Sequence, residues 1–167
     1  YGSEIVGIES AEEALALAEK NVDKLIIGDV EAVKLPFEPN YFDCIIYGDV
    51  LEHLRDPWHV LKEHARYLKE SGAVIASIPN MSHYSVIKDL LRDRWHYEDS
   101  GLRDISHIRY FTLDTILAMF DQSGYSVRRI ERKMRGSAAR RAIIRALGGK
   151  FDYLLTEQYL IKAGLKR

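Results

Sequence analysis

Four short apolar runs, separated by polar or helix-like stretches, constrain the fold of this chain more than any other feature. They occupy residues 5–8, 25–27, 42–47 and 73–78. Near-continuous apolar runs of this length are typical of strands that are buried on both faces. Alternation of such strands with helices predicts an α/β fold built on a parallel sheet.

Two helical patterns lie between these runs. Residues 10–21 have apolar positions at helical spacing, and Ser10 with Glu13 has the spacing of a capping box. A second helix is predicted to begin at Asp56 as N-cap with Pro57 in its first turn, and to end at Gly72.

The pattern changes after Pro79. The sequence predicts a helix over residues 82–94, a loop over 96–101, and a helix over 112–123 that Thr112 caps and Gly124 ends. It further predicts a strand over residues 125–134, a basic helix over 137–147 and a last strand over 153–163. Residues 128–150 are rich in Arg and Lys, which is typical of a solvated helix face, but would also suit an anionic substrate, a membrane surface or nucleic acid.

The composition excludes several classes of protein. Hydrophobic residues are 47% and charged residues 29% of the 167 residues, which suits one globular domain over residues 1–167. A formal net charge of −1 predicts no strong attraction to nucleic acid or membranes. No apolar stretch reaches the ~20 residues that span a bilayer, so we expect a cytoplasmic protein. The one cysteine, Cys44, is predicted to be a buried core thiol.

Three acids follow three of the predicted strands: Glu9, Asp29 and Asp49. The carboxyl ends of parallel strands meet at one edge of a sheet, where ligands of open α/β folds bind. A carboxylate at Glu9 could accept hydrogen bonds from two ribose hydroxyls, or it could be an exposed acid stabilised by a helix dipole. Asp29 could accept from an adenine amine while Val30 donates its N–H to a ring nitrogen, or Asp29 could simply form a turn.

Several segments resemble, in order and spacing, the successive motifs of class I S-adenosylmethionine-dependent methyltransferases. They are Glu9-Ser10, Gly28-Asp29-Val30-Glu31, residues 42–54 and residues 68–80. The most specific piece, Asp49-Val50-Leu51-Glu52-His53-Leu54 with Asp56-Pro57, is similar to the ubiquinone-biosynthesis O-methyltransferase group. Residues 106–112, which precede a helix and Gly124-Tyr125, resemble a bacterial branch of this superfamily.

This resemblance implies a Rossmann-like sheet of order 3-2-1-4-5-7-6 with an antiparallel seventh strand, and S-adenosylmethionine as the cofactor. It assigns Glu9 and Ser10 to the ribose, and Asp29 and Val30 to the adenine. The cofactor's methionine part would lie beside Tyr47, Gly48 and Asp49.

The sequence departs from the family at one place. The first strand and its Gly-x-Gly cofactor loop do not occur in the chain. We therefore expect an N-terminally truncated domain, a gap filled by another chain, or a rearranged sheet, and weak cofactor binding by these 167 residues. Two interior strand edges would be exposed, which makes a homodimer plausible.

Methyl transfer needs positioning, and a base if the acceptor is a hydroxyl. The candidates are His53 as first base, His107 as second base, and Arg109 to hold an acidic acceptor group; each could instead be structural. Residues 80–111 are predicted to be an insertion that lines the acceptor pocket. The expected acceptor is a small or carbohydrate-like molecule methylated on oxygen. A nucleic acid is not expected, because no Asn/Asp-Pro-Pro-Tyr/Phe string follows the fourth strand of the family order.

Other functions remain open at this point. A nicotinamide-dependent Rossmann enzyme would need a Tyr-x-x-x-Lys pair or similar and a parallel sixth strand. A non-catalytic assembly module would need neither. Local His and Cys spacings typical of metal sites are absent, as is a P-loop, so no metal site is predicted.

Overall fold

The computed structural model describes residues 2–135, 137 and 149–166. These fall into two compact units, residues 1–37 and 38–167, which are described separately. The predicted basic helix over residues 137–147 lies outside the described residues except for Ser137. The prediction of one domain over the whole chain stays a prediction.

The first unit contains two parallel strands and one helix. Strand β1, Val6–Glu9, pairs with β2, Lys24–Ile27, in a register that sets Glu9 opposite Ile27. The connecting helix α1 spans Glu12–Asn21. The predicted capping box at Ser10 is wrong, because the N-cap of α1 is Ala11 and makes no side-chain cap hydrogen bond.

The second unit is a four-stranded sheet with helices. Its strands are β3 (Phe42–Gly48), β4 (Leu68–Pro79), β5 (Tyr125–Met134) and β6 (Thr156–Leu165), and its helices are α2 (Pro57–Ala65), α3 (Tyr84–Leu90) and α4 (Leu113–Gln122). The sheet order is β3-β4-β6-β5. Strands β3 and β4 are parallel, whereas β6 is antiparallel to both of its neighbours. The predicted order 3-2-1-4-5-7-6 likewise has an antiparallel last strand between its fifth and sixth strands.

Gly72 does not end a helix, and this prediction is wrong. Helix α2 ends at Ala65, and Gly72 lies inside β4. The pairing with β3 shifts register here, from Phe42 opposite Leu68 to Cys44 opposite Ala73. A Cβ at Gly72 would lie 2.8 Å from both Leu68 Cδ1 and the Lys69 carbonyl oxygen, so this irregularity requires glycine.

Helices α2 and α4 and strand β5 share a buried core. Leu61, Ile116 and Phe120 are fully buried, and the Tyr125 hydroxyl donates to the Leu61 carbonyl at 2.9 Å. Thr112 caps α4 as predicted, by accepting from the Thr115 amide. Each described helix is too short or too polar to span a lipid bilayer.

Cys44 is exposed and not buried as predicted. It shares one face of β3 with Ile46, whose side chain is 69% exposed. The apolar run over residues 42–47 therefore has one face in the core and one outside it.

Candidate functional site

Asp49 follows the last residue of β3, and three contacts hold it in place. Its backbone adopts a φ of +52°, a left-handed conformation that Asp tolerates better than most residues. The Asp49 amide donates to Ser77 Oγ at 2.9 Å, and Ser77 Oγ donates to Asp49 Oδ1 at 3.1 Å. Gln158 Nε2 also donates to Oδ1. Asp49 is thus fixed by side chains of β4 and β6, which the sequence analysis did not select.

Tyr47 points away from this edge, into the core. Its side chain is 3% exposed, and its hydroxyl oxygen lies 2.8 Å from His64 Nδ1. Burial raises the pKa of Tyr47 and lowers the pKa of His64. The Tyr47 side chain is therefore committed to packing, and its backbone is the part left for a cofactor.

The predicted adenosine-binding residues lie in the first unit. Glu9 Oε1 accepts from the amides of Ser10 and Ala11, at 2.8 Å each, and this leaves Oε2 for another donor. The Gly28 amide donates to the Glu9 carbonyl at 2.9 Å, which joins the ends of β1 and β2. Asp29 Oδ1 accepts from the Glu31 amide at 2.8 Å, as in an Asx turn. Glu9 and Asp29 thus lie at the same edge of this unit.

Two histidines from distant parts of the sequence meet in the second unit. His53, in a short 3-10 turn over Leu51–His53, and His107 have ring centroids 4.8 Å apart at 66°. His107 Nε2 lies 4.0 Å from Glu52 Oε1. We call Glu52, His53 and His107 the Glu-His-His cluster; their ligand-type atoms all lie within 4.8 Å of one another.

The loop that carries His107 is tied to the turn that carries Glu52. The Glu52 carbonyl accepts from the amides of Ile108 and Arg109, both at 3.0 Å. His53 Nδ1 lies 3.2 Å from the Ser106 carbonyl oxygen. Because a carbonyl can only accept, this contact assigns the hydrogen to Nδ1 and the lone pair to Nε2 of His53.

Burial dominates the electrostatics of the cluster. It raises the pKa of Glu52 to about 7, and the nearby Asp49 and Asp104 carboxylates contribute to the increase. Burial, and then the nearby His53, lower the pKa of His107. Both groups are therefore destabilised in their charged forms.

A cavity of about 450 Å³ borders the cluster. Its wall includes Asp49, Asp104 and the Glu-His-His cluster, with Lys133 and Arg135 also lining it. A space of this size holds a small organic molecule. Leu102, Asp104 and His107 bring the predicted insertion, residues 80–111, into the wall.

Arg109 is placed differently. Its Nε donates to the Arg55 carbonyl at 3.0 Å, Nη2 donates to the same oxygen, and the guanidinium lies 6.0 Å from the centre of the Trp58 ring. Arg109 is not among the residues that line the cavity. Its role toward an acidic acceptor group stays a prediction, since the guanidinium already has a backbone partner.

The sequence analysis missed Glu52, although the motif that contains it was recognised. A glutamate is rarely buried without a partner, and no local pattern indicates that this one is 1% exposed. The alternative of a nicotinamide-dependent enzyme needs a Tyr-x-x-x-Lys pair. Tyr84 and Lys88 on α3 have this spacing, but neither lines the cavity.

The sequence is similar to known methyltransferases. Residues 1–76 match the protein family described as "Methyltransferase domain". Demethylmenaquinone methyltransferases of Bacillus cereus (strain B4264) and Bacillus anthracis (strain A0248) are each 38% identical over 76 residues, which cover 42% of this chain and 32% of theirs. The matched part therefore spans about a third of the length of these curated relatives.

Solved structures share the fold over nearly the whole chain. A putative methyltransferase from Bacillus halodurans C-125 has a TM-score of 0.63 at 16% identity, covering 97% of this chain and 83% of that one. A possible histamine N-methyltransferase from Thermotoga maritima has a TM-score of 0.66 at 16% identity, covering 97% and 73%. A third, from Mesorhizobium loti, has a TM-score of 0.65 at 17% identity, covering 97% and 80%. These matches confirm the predicted Rossmann-like fold, although the full seven-strand order stays a prediction.

Proposed function

Because the chain is related to the class I S-adenosylmethionine-dependent methyltransferases, we propose that it transfers a methyl group from this cofactor to an oxygen of a small-molecule or carbohydrate-like acceptor. The observation that carries the proposal is the pair of imidazoles, His53 and His107, in the wall of a cavity that Asp49 also lines. The curated relatives are named for methylation of demethylmenaquinone, which is itself a small molecule.

The family and fold imply S-adenosylmethionine as the cofactor. When bound, it supplies a methyl group that is already activated by the sulfonium. In the first unit, the free Glu9 Oε2 fits a ribose hydroxyl, with Ser10 beside it, and Asp29 with the Val30 amide fits adenine. In the second unit, Gly48 and Asp49 are proposed to bind the methionine part, with Tyr47 contributing through its backbone.

The chain's own residues supply the proton transfer. His53 Nε2 would take the proton of an acceptor hydroxyl as that oxygen is methylated. That nitrogen holds a lone pair because the Ser106 carbonyl fixes the hydrogen on Nδ1. His107, whose neutral form is favoured by burial, is the second candidate acceptor of the proton.

Transfer of a tritiated methyl group to phenols, catechols and sugars, with matched amines as comparison, tests the function. We expect label on hydroxyl acceptors. His53→Gln should slow transfer about 10²–10⁴-fold while S-adenosylhomocysteine affinity stays within about twofold. His96→Gln, an exposed histidine that does not line the cavity, is the matched control. Transfer to amines alone, or an unchanged rate in His53→Gln, would contradict the proposal.

Cofactor affinity is expected to be low for these 167 residues, because the family's Gly-x-Gly loop does not occur among them. Calorimetric titration with S-adenosylhomocysteine should show tighter binding once such a strand and loop are fused before Tyr1. Equal and tight binding by both chains would contradict this expectation.

The expected homodimer is a separate proposal, which analytical ultracentrifugation of the same samples checks.

A further inference from the structure

We propose that Glu52, His53 and His107 form a binding site for one divalent transition-metal cation, such as Zn²⁺ or Mn²⁺. One carboxylate and two imidazoles are a donor set that suits transition-metal ions, whereas Mg²⁺ and Ca²⁺ prefer oxygen ligands alone. Three protein ligands leave coordination positions open, as in catalytic metal sites. The site itself rests on geometry alone, whereas its role in catalysis rests on the proposed function.

The distances suit a cation after small side-chain movements. The three ligand-type atoms lie within 4.8 Å of one another, and His107 Nε2 is 4.0 Å from Glu52 Oε1. Three ligands that are each about 2.1 Å from one tetrahedral ion lie ~3.4 Å apart. Side-chain movements that bring each ligand atom about 0.7 Å inward would therefore close the site.

One buried oxygen of the cluster lacks a partner. Glu52 is 1% exposed and His107 is 8% exposed. Glu52 Oε2 makes no hydrogen bond with any described residue. Burying a carboxylate oxygen without a partner is unfavourable, and a cation bound by Glu52 would offset that cost.

The surroundings orient the ligands as metal sites require. The Ser106 carbonyl accepts from His53 Nδ1 and so presents the lone pair of Nε2. The Glu52 carbonyl accepts from the Ile108 and Arg109 amides, which fixes the His107 loop against the Glu52 turn. The carboxylates of Asp49 and Asp104, which line the same cavity, add negative charge that favours a cation.

A cation here would change how the acceptor is activated. Both imidazoles would be ligands, and the ion would lower the pKa of an acceptor hydroxyl that enters an open coordination position. In the ion-bound chain the hydroxyl proton would leave to solvent, whereas His53 Nε2 would take that proton only in the metal-free chain.

The test uses the full chain after removal of metals with EDTA. Mn²⁺ binding is followed by electron paramagnetic resonance, and Zn²⁺ binding by competition with a chromophoric chelator, without cofactor or acceptor. We expect one ion per chain, and affinity at least tenfold lower in Glu52→Gln and in His107→Gln. His96→Gln is the control and should bind as the unmodified chain does.

A thermal unfolding scan guards against a variant that merely misfolds. Metal should raise the Tm of the unmodified chain and of His96→Gln, but not that of folded Glu52→Gln. Absence of stoichiometric binding at about 1 mM ion, or equal binding by Glu52→Gln, would overturn the metal site. Methyl transfer that persists in EDTA overturns only the metal's role, and metal binding without any transfer overturns only the proposed function.

Discussion

Replacement of Tyr47 by Phe separates a packing role from a cofactor role at the end of β3. The Tyr47 hydroxyl oxygen and His64 Nδ1 are 2.8 Å apart, and the two side chains are 3% and 6% exposed. Tyr47→Phe keeps the ring, which lies parallel to the His64 imidazole within 12°. The substitution therefore removes one buried hydrogen bond and little else.

The magnitude follows from the partner that is left behind. His64 Nδ1 would remain in the core without a hydrogen bond, which costs about 1–3 kcal/mol of unfolding free energy. For a chain of this size, each kcal/mol lowers the Tm by about 2–4 °C. We therefore expect a Tm decrease on the order of 2–12 °C.

Two measurements check this reasoning. Urea denaturation followed by circular dichroism should show a lower unfolding free energy for Tyr47→Phe but not for Tyr153→Phe, whose side chain is more exposed. Calorimetric titration with S-adenosylhomocysteine should show affinity within about twofold of the unmodified chain, because the hydroxyl points into the core. Unchanged stability would refute the energetic argument. A tenfold loss of affinity at unchanged stability would show that the side chain contacts the cofactor.

Two further predictions concern stability. Burial lowers the pKa of His64 below its ordinary value of 6.5, so the unfolded chain binds this proton more readily than the folded chain. The stability that neutral His64 contributes is present above pH 6.5 and is lost as the pH falls. Between about pH 7 and pH 5 the unfolding free energy should therefore decrease less in His64→Gln than in the unmodified chain. Equal slopes in the two chains would contradict this. Gly72→Ala places a Cβ 2.8 Å from Leu68 Cδ1, and we expect a loss of about 1–3 kcal/mol in urea denaturation, whereas an unchanged midpoint would show that β4 relaxes around the methyl group.

Periodicity predicted the elements where one local signal decides the structure. The strand over residues 125–134 is confirmed at both ends, and its start follows from Gly124, whose φ of +87° separates it from α4. Thr112 is confirmed as the cap of α4 for a similar reason, since its hydroxyl reaches an amide only three residues away.

Prediction failed where a contact that the spacing rule does not include determines a residue's role. Gly72 has the composition of a helix stop, but it lies in an irregular part of β4 that pairs with β3. Ser10 has the spacing of a cap, yet the carboxylate of the preceding Glu9 binds the amides of Ser10 and Ala11. The first failure comes from a long-range strand pairing, and the second from an acid next to the predicted cap.

The candidate site depends on such contacts even more strongly. His53 and His107 were each selected from motif context, but their proximity follows from the two amide hydrogen bonds that the loop donates to the Glu52 carbonyl. The same two hydrogen bonds bring the His107 ring to the buried Glu52 carboxylate. The sequence separation of these two residues is not one that local metal-site patterns include. The backbone of Glu52 therefore assembles the cluster that its own side chain completes, although the sequence analysis did not select this residue from its motif.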